Sequence, residues 1–204
     1  MPLNLDSLAP PISLRPSVTL SDEELMRFSE DNKPYKIERN NRGEITIMTP
    51  VGGIGSAHEE YVSGEFYIWT KRDGTGKGFS PSAGFNLPDG SCLSPDVAWM
   101  TLDRWTSLTV KQQTGFPPLC PDFVIEVRSA TDPRQMVEAK MQLWMNNGAR
   151  LAWLVDPIDE NVTVYRPGYA PETLDHPRLI AATAPVEGFV LDCSLLWPES
   201  NPVS

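Results

Sequence analysis

The 204-residue chain lacks the segments that mark membrane and secreted proteins. Its longest apolar runs are far shorter than the roughly 20 residues that a transmembrane helix needs, so we expect no membrane span. Residues 1–20 contain no basic segment followed by an apolar one. We therefore expect no secretory signal and a cytoplasmic location.

Cysteine and histidine are scarce. The three cysteines, Cys92, Cys120 and Cys193, are widely separated and odd in number. This spacing favours reduced, half-buried thiols over a disulfide framework or a zinc site. Neither His58 nor His176 has a metal-ligand partner at a useful spacing, so we interpret both histidines as structural or exposed.

An excess of positive charge is also absent. The chain has 17 lysines and arginines against 27 acidic residues, which gives a net charge of −10. A non-specific nucleic-acid binder is normally basic, because the neutralisation of phosphates supplies most of its affinity. The composition thus offers no general electrostatic argument for DNA. It remains compatible with a metal-dependent nuclease, since a bound cation screens its own site.

The N-terminal part of the chain predicts an arm, a helix and a hairpin. Residues 1–20 contain four prolines and little periodicity, which predicts an extended arm. Ser21 and Glu24 have the spacing of a capping box and predict a short helix. Residues 35–39 and 44–48 flank a turn with Asn and Gly, which is typical of a β-hairpin.

Glycines at 52, 53 and 55 precede a second predicted helix. The segment 52–55 lacks the Gly-Lys-Ser/Thr ending of a phosphate-binding loop, so we interpret it as a flexible turn. Ser56 and Glu59 again have capping-box spacing and predict a helix that continues through Arg72.

The remainder of the chain alternates strand and helix patterns. Residues 95–100 and 123–127 predict strands, and Asp132 and Pro133 predict a helix N-terminus whose helix ends at Gly148. We therefore predict one α/β domain over residues 21–198, with a mixed sheet and a tail at 199–204.

Two carboxylates lie in apolar, strand-like segments that each contain a Pro-Asp pair. These are Asp96 in residues 93–100 and Glu126 in residues 121–128. A carboxylate in a buried strand is costly unless it is paired, and a divalent metal that bridges two carboxylates is one solution. Such metals commonly hydrolyse phosphodiesters. The alternative is a pair of ordinary strand-end acids.

Lys140 is expected near the level of Glu126. Glu126 lies roughly 10 Å from the end of its strand at ~3.3 Å per residue. Lys140 lies about 12 Å into the following helix at ~1.5 Å per residue. If that helix packs antiparallel to the strand, the two side chains return to the same level. Lys140 borders an apolar stripe, so it needs a partner or extends to solvent.

The pattern of these residues resembles the PD-(D/E)XK nuclease superfamily. More closely, the chain resembles the Uma-type restriction endonuclease family over about residues 34–197. The matching segments are 37–39, 43–48 with Pro50, 94–96, 120–129, 140–141 and 148–157. The resemblance implies a restriction-endonuclease-like α/β core, with a mixed β-sheet flanked by helices and preceded by an N-terminal helix and β-hairpin.

The resemblance also implies site roles. Asp96 and Glu126 would bind Mg²⁺ or Mn²⁺, and Glu38 would add a carboxylate near the site. The superfamily places a lysine two residues after the second acid, where this chain has Arg128. Arginine could stabilise phosphorane charge but could not act as a base. In the Uma-type group the lysine lies on the following helix, which makes Lys140 its counterpart.

Structural alternatives exist for several of these residues. Glu38 could form an ion pair with Arg39 or Arg42. Arg128 could neutralise the surroundings of Glu126 or bind Asp132. Trp144 and Trp153 are expected to fill the core.

The resemblance implies a metal-dependent DNA endonuclease that hydrolyses phosphodiester bonds with metal-activated water. In this mechanism Lys140 orients that water or stabilises negative charge. The alternative is a catalytically silent, nuclease-fold binding module without turnover. A double-strand cut by single-site nucleases usually needs a two-fold pair of active sites, so we expect a homodimer.

Overall fold

Strands and helices alternate in a computed structural model of the protein, which describes residues 11–197. The elements are β1 (Ile12–Leu14), α1 (Asp22–Asp31), β2 (Lys36–Arg39), β3 (Ile45–Met48), α2 (Gly53–Asp73), β4 (Gly76–Phe79), β5 (Phe85–Asn86), β6 (Cys92–Leu93), β7 (Val97–Thr101), α3 (Leu102–Thr106), α4 (Val110–Thr114), β8 (Phe123–Val127), α5 (Arg134–Asn146), β9 (Leu151–Asp156), β10 (Asn161–Tyr165), β11 (Glu172–Asp175), β12 (Leu179–Ala181) and β13 (Val190–Asp192). The predicted tail and the first ten residues of the predicted arm lie outside this range. The predicted α/β class is confirmed.

The strands within residues 11–197 form three sheets. A five-stranded sheet has the order β1-β3-β2-β6-β5, and a six-stranded sheet has the order β11-β10-β9-β8-β7-β4. Strands β12 and β13 pair with each other. In the six-stranded sheet β8 and β9 are parallel, whereas β7 and β8 are antiparallel, so this sheet is mixed as predicted.

Helices cover both faces of the six-stranded sheet. Helix α2 buries Val62 and Phe66 against one face, and α5 buries Met141 and Trp144 against the other. All residues of β8 and of β9 are consequently buried, as expected for central strands that are covered on both sides. This packing brings the start of β7, the end of β8 and the middle of α5 together.

The predicted N-terminal helix and hairpin are present. The Ser21 hydroxyl accepts a bond from the Glu24 amide at 3.3 Å, and the Glu24 carboxylate accepts one from the Ser21 amide at 2.8 Å. Strand β2 pairs with β3 in the register Ile37 to Ile47. Gly43 in the turn has φ = 78°, a conformation that side chains other than glycine rarely adopt.

The start of α2 differs from the prediction. The helix begins at Gly53 with Gly52 as its N-cap, and the Gly52 carbonyl accepts the Ser56 amide at 2.9 Å. The predicted flexible turn at 52–55 and the predicted capping box at Ser56 are therefore wrong. Glycine disfavours helix without forbidding it, and burial of the helix against the sheet outweighs that local preference.

The start of α5 is one residue later than predicted. Pro133 is the N-cap instead of Asp132, whose carboxylate accepts a bond from the Ser129 hydroxyl at 2.7 Å. The helix ends at Asn146, and Gly148 follows with φ = 108°. Among the described residues, no helix has the length and apolar character needed to cross a membrane.

Candidate active site

Five charged side chains converge where the two larger sheets meet α5. We call this group the carboxylate–lysine cluster; it consists of Lys36, Glu38, Asp96, Glu126 and Lys140. It unites four of the site residues expected from the sequence and adds Lys36, which was not expected. The cluster is mostly buried, with only the two lysines retaining appreciable exposure.

Strand β2 supplies two members of the cluster because side chains alternate along a strand. Lys36 and Glu38 are two residues apart and lie on one face of β2, whereas Ile37 lies on the other and joins the apolar cluster around α1. Glu38 accepts a hydrogen bond from the Ser94 amide at 2.9 Å. This bond ties β2 to the segment that precedes β7.

Asp96 lies one residue before β7 and connects the two sheets. Strands β7 and β8 pair Val97 with Ile125, so continuing this register by one residue brings Asp96 opposite Glu126. One Asp96 oxygen accepts the Val127 amide at 2.8 Å, and the other accepts the Lys36 ammonium at 3.2 Å. The two predicted metal ligands are therefore neighbours across one strand pair.

Glu126 is held by two donors from α5. Its Oε1 accepts the Trp144 indole N–H at 2.8 Å, and its carboxylate lies 3.0 Å from the Lys140 ammonium. Lys140 and Trp144 are four residues apart, so they lie on the same face of the helix. Burial raises the pKa of Glu126 above its ordinary value, while the positive charge of Lys140 acts in the opposite direction.

Lys140 is the most highly connected side chain of the cluster. Its ammonium lies 2.8 Å from Glu38, 3.0 Å from Glu126 and 3.0 Å from the Ser94 carbonyl oxygen. Burial acts to lower the pKa of Lys140, but the carboxylates around it raise that pKa above its ordinary value. Lys140 is thus a buried cation that joins β2, β8 and α5, and it does not extend to solvent.

Glu59 from α2 approaches the cluster from the opposite layer. It is half-buried, and its side chain makes no hydrogen bond or ion pair with any residue between 11 and 197. Burial, with a contribution from the negative charge of Asp96, raises the pKa of Glu59 to about 7. At neutral pH a fourth carboxyl group near the cluster is therefore only partly ionised.

Arg128 is placed outside the cluster. Its Nη1 lies 2.8 Å from Asp156 and 2.9 Å from Asp159, and its Nε donates to the Asp132 carbonyl oxygen at 3.1 Å. Strand β8 ends at Val127, so the alternation that would carry Arg128 to the side of Glu126 is interrupted. A bond between Arg128 and Asp132 was one of the alternatives from the sequence. It is present, but its acceptor is the backbone carbonyl oxygen of Asp132. The catalytic role of Arg128 stays a prediction.

The donor chemistry of the cluster fits a hard divalent cation. Carboxylate oxygens are the ligands that Mg²⁺ and Mn²⁺ prefer, and Asp96, Glu126 and Glu38 supply them. Over residues 11–197, however, no three acidic, histidine or cysteine side chains form a ready metal centre. Lysine nitrogens lie between the carboxylates instead, and they provide the neutralising charge.

Sequence reasoning did not identify three members of this arrangement. Lys36 could have been found from its spacing, because it lies two residues before Glu38 in a strand. Trp144 could have been found as the residue one helical turn after Lys140. Ser94 binds Glu38 through its backbone amide and Lys140 through its backbone carbonyl oxygen. A pattern of side chains in the sequence cannot indicate such backbone bonds.

Comparisons with known proteins agree on family and fold. The Uma2 family model, described as "Putative restriction endonuclease", matches residues 22–194. Among solved structures, the chain is similar to a "putative nuclease belonging to DUF820" from Anabaena variabilis. The TM-score is 0.69 at 20% identity, and the match covers 87% of this chain and 97% of the other. None of the curated proteins matches the chain.

Proposed function

Because the chain belongs to the Uma2 family of "putative restriction endonucleases", we propose that it is a metal-dependent DNA endonuclease that hydrolyses phosphodiester bonds with metal-activated water. Its restriction-endonuclease-like fold agrees with this proposal. The observation that carries it is the convergence of Glu38, Asp96, Glu126 and Lys140 from separate elements onto one cluster.

In the proposed reaction, Asp96 and Glu126 would hold Mg²⁺ or Mn²⁺, and Glu38 would add a third carboxylate. When bound, the ion would lower the pKa of water and stabilise negative charge on the phosphate. The Val127 amide and the Trp144 indole orient the two carboxylates. Lys140 fixes Glu126 relative to Glu38 and supplies positive charge near the place where negative charge develops.

The second candidate function is a nuclease-fold binding module without turnover. Two lysines already neutralise part of the charge of the three carboxylates. The net charge of −10 also gives the chain no general attraction to nucleic acid. Both features favour a silent module over an enzyme, so the two candidates need a direct test.

The test compares three proteins on supercoiled plasmid DNA with Mn²⁺ or Mg²⁺. The first is the wild type, and the second carries Asp96→Asn with Glu126→Gln, which keep the shapes of both side chains. The third carries Glu23→Gln with Asp103→Asn, which remove the same charges from exposed positions. We expect nicking by the wild type and the control only. Equal and negligible nicking by all three proteins, on an RNA substrate as well as on the plasmid DNA, would contradict the enzyme hypothesis.

Titration calorimetry with Mn²⁺ tests the metal site independently of turnover. We expect heat of binding from the wild type and the surface control, and its loss in the variant of Asp96 and Glu126. If the variant binds Mn²⁺ as the wild type does, the two acids are structural.

We also propose that a homodimer is the unit that cuts both strands, because one cluster per chain can attack one strand at a time. Light scattering at the assay concentration measures the assembly. A strict monomer that linearises plasmid in a single binding event contradicts this proposal.

A further inference from the structure

We infer that Lys36 is the side chain that binds a backbone phosphate of the substrate, and that Lys140 instead fixes the carboxylates. This inference rests on the proposed nuclease function and names the substrate-binding group of the same site. It follows from how the two ammonium groups use their hydrogen-bond donors, from their exposure and from the charge around them.

The donors of Lys140 are fully used. A lysine ammonium has three N–H groups. Glu38, Glu126 and the Ser94 carbonyl oxygen lie 2.8 to 3.0 Å from the Lys140 nitrogen and account for all three. To bind a phosphate, Lys140 would have to leave a buried partner without compensation, which is costly.

Within residues 11–197, the ammonium of Lys36 does not use all of its hydrogen-bond donors. Over residues 11–197 its ammonium makes one hydrogen bond, to Asp96 Oδ1 at 3.2 Å. Two of its three N–H groups are therefore available to a ligand. Its side chain is 28% exposed, compared with 16% for Lys140 and 9% for Asp96. Lys36 is thus the more exposed of the two cations of the cluster.

The charge of the cluster favours a contact between the phosphate and an ammonium group. Without a bound cation, three carboxylates and two ammonium groups give the cluster one excess negative charge, so a phosphodiester approaches most favourably on the side of a lysine. Lys36 already forms an ion pair with Asp96 at 3.2 Å, and a lysine in such a pair is positively charged at neutral pH. Lysine is a flexible point charge that can turn towards a phosphate oxygen.

The same movement would prepare Asp96 for a cation. When Lys36 turns to a phosphate, the Asp96 oxygen that it occupied becomes free to accept a metal ion. Val127 still donates to the other oxygen at 2.8 Å and keeps the carboxylate in place. Binding of substrate and binding of metal would then favour each other, because each removes a competing partner of the other.

The test measures binding of a fluorescent DNA duplex to the full chain across a range of salt concentrations, with Ca²⁺ in place of Mg²⁺. Intact substrate is verified on a gel. The variants are Lys36→Gln, Lys36→Arg and, as a matched control, Lys111→Gln, whose side chain is 87% exposed and pairs with Glu23.

We expect Lys36→Gln to weaken binding about tenfold, as for loss of a charged hydrogen bond. The slope of the logarithm of the DNA association constant against the logarithm of the salt concentration should fall in magnitude by about 0.9, the value for one phosphate contact. The Lys36→Arg protein should keep the wild-type slope, because arginine keeps the positive charge. The Lys111→Gln protein should also keep the wild-type slope. Mn²⁺ affinity of Lys36→Gln should be equal to or tighter than that of the wild type.

Different outcomes separate this inference from the proposed function. A wild type that binds and cuts DNA, beside a Lys36→Gln protein with an unchanged salt slope, overturns the role of Lys36 alone. The phosphate-binding role of Lys36 also fails if the Lys36→Gln protein keeps the wild-type salt slope of DNA binding but binds Mn²⁺ more weakly and is thermally less stable. That combination is expected if Lys36 forms only a structural ion pair with Asp96. A wild type that neither binds nor cuts DNA overturns both proposals.

Discussion

The indole nitrogen of Trp144 lies 2.8 Å from Oε1 of Glu126, and Trp144 itself is fully buried. The residue therefore fills the core, as the sequence predicted, and also orients a carboxylate of the candidate site. A buried carboxylate needs such donors, because otherwise its charge has neither water nor a partner.

Replacement of Trp144 by Phe should destabilise the protein by about 1–3 kcal/mol beyond the cost of the lost ring, since a buried acceptor loses its donor. The matched control is Trp99→Phe. Trp99 is equally buried, but its indole N–H has no partner among residues 11–197. Urea unfolding of both variants gives the difference in the free energy of unfolding. Equal losses would mean that the bond to Glu126 contributes nothing.

Replacement of Lys140 by Met should destabilise the protein at neutral pH by about 3–5 kcal/mol, because it leaves two buried carboxylates without their cation. The loss should shrink as the pH falls, since protonation neutralises Glu126, whose pKa is raised by burial. Lys111→Met is the control, because its side chain is almost fully exposed. Unfolding curves at several pH values measure the effect. A loss that does not change with pH would show that packing, and not charge, is responsible.

Replacement of Glu59 by Gln should stabilise the protein at pH 8. Its pKa is about 7 in the folded chain and about 4.5 ordinarily, so between these values the folded state binds more protons than the unfolded state. The contribution of Glu59 to stability therefore falls as the pH rises from about 4.5 to about 7. The gain in stability of the Glu59→Gln protein over the wild type should be absent below this pH range and complete above it.

Thermal melting of the Glu59→Gln protein from pH 4 to pH 8 checks the expectation, with the exposed neighbour Glu60→Gln as control. A constant difference in melting temperature over the whole range would contradict the raised pKa.

Replacement of Arg128 by Ala should lower stability by about 1.5–3 kcal/mol, the usual cost of losing a hydrogen bond between charged groups. Asp156 has no exposed surface and, among residues 11–197, would keep only Arg134 as its cationic partner. Mn²⁺ affinity and the salt slope of DNA binding should be unchanged, because Arg128 pairs with Asp156 and Asp159 and not with the carboxylate–lysine cluster. If stability is unchanged and cleavage is lost, Arg128 has the phosphate role that the resemblance to the superfamily suggests.

The sequence was informative where structure follows from local periodicity. The capping box at Ser21 and the hairpin turn at Gly43 depend on neighbouring residues, and both are present. The proximity of Lys140 to Glu126 follows from the rise of a helix packed on its own preceding strand.

The sequence was uninformative where structure depends on how separate sheets pack together. Lys36 contacts Asp96 across 60 positions, and no local pattern predicts that the β2 sheet docks at the start of β7. The glycines at the start of α2 were misinterpreted because the helix is stabilised further along, where Val62 and Phe66 are buried, and its first turn extends from that buried part.

The three free cysteines offer a practical route to spectroscopic study of the candidate site. Cys92, Cys120 and Cys193 are all buried, and burial raises the pKa of each thiol to about 12. Only thiolates react with maleimides at neutral pH, so the native thiols are protected as long as the chain is folded. A cysteine introduced at an exposed position on α2, such as Tyr67→Cys, could therefore carry a dye without removal of the native cysteines.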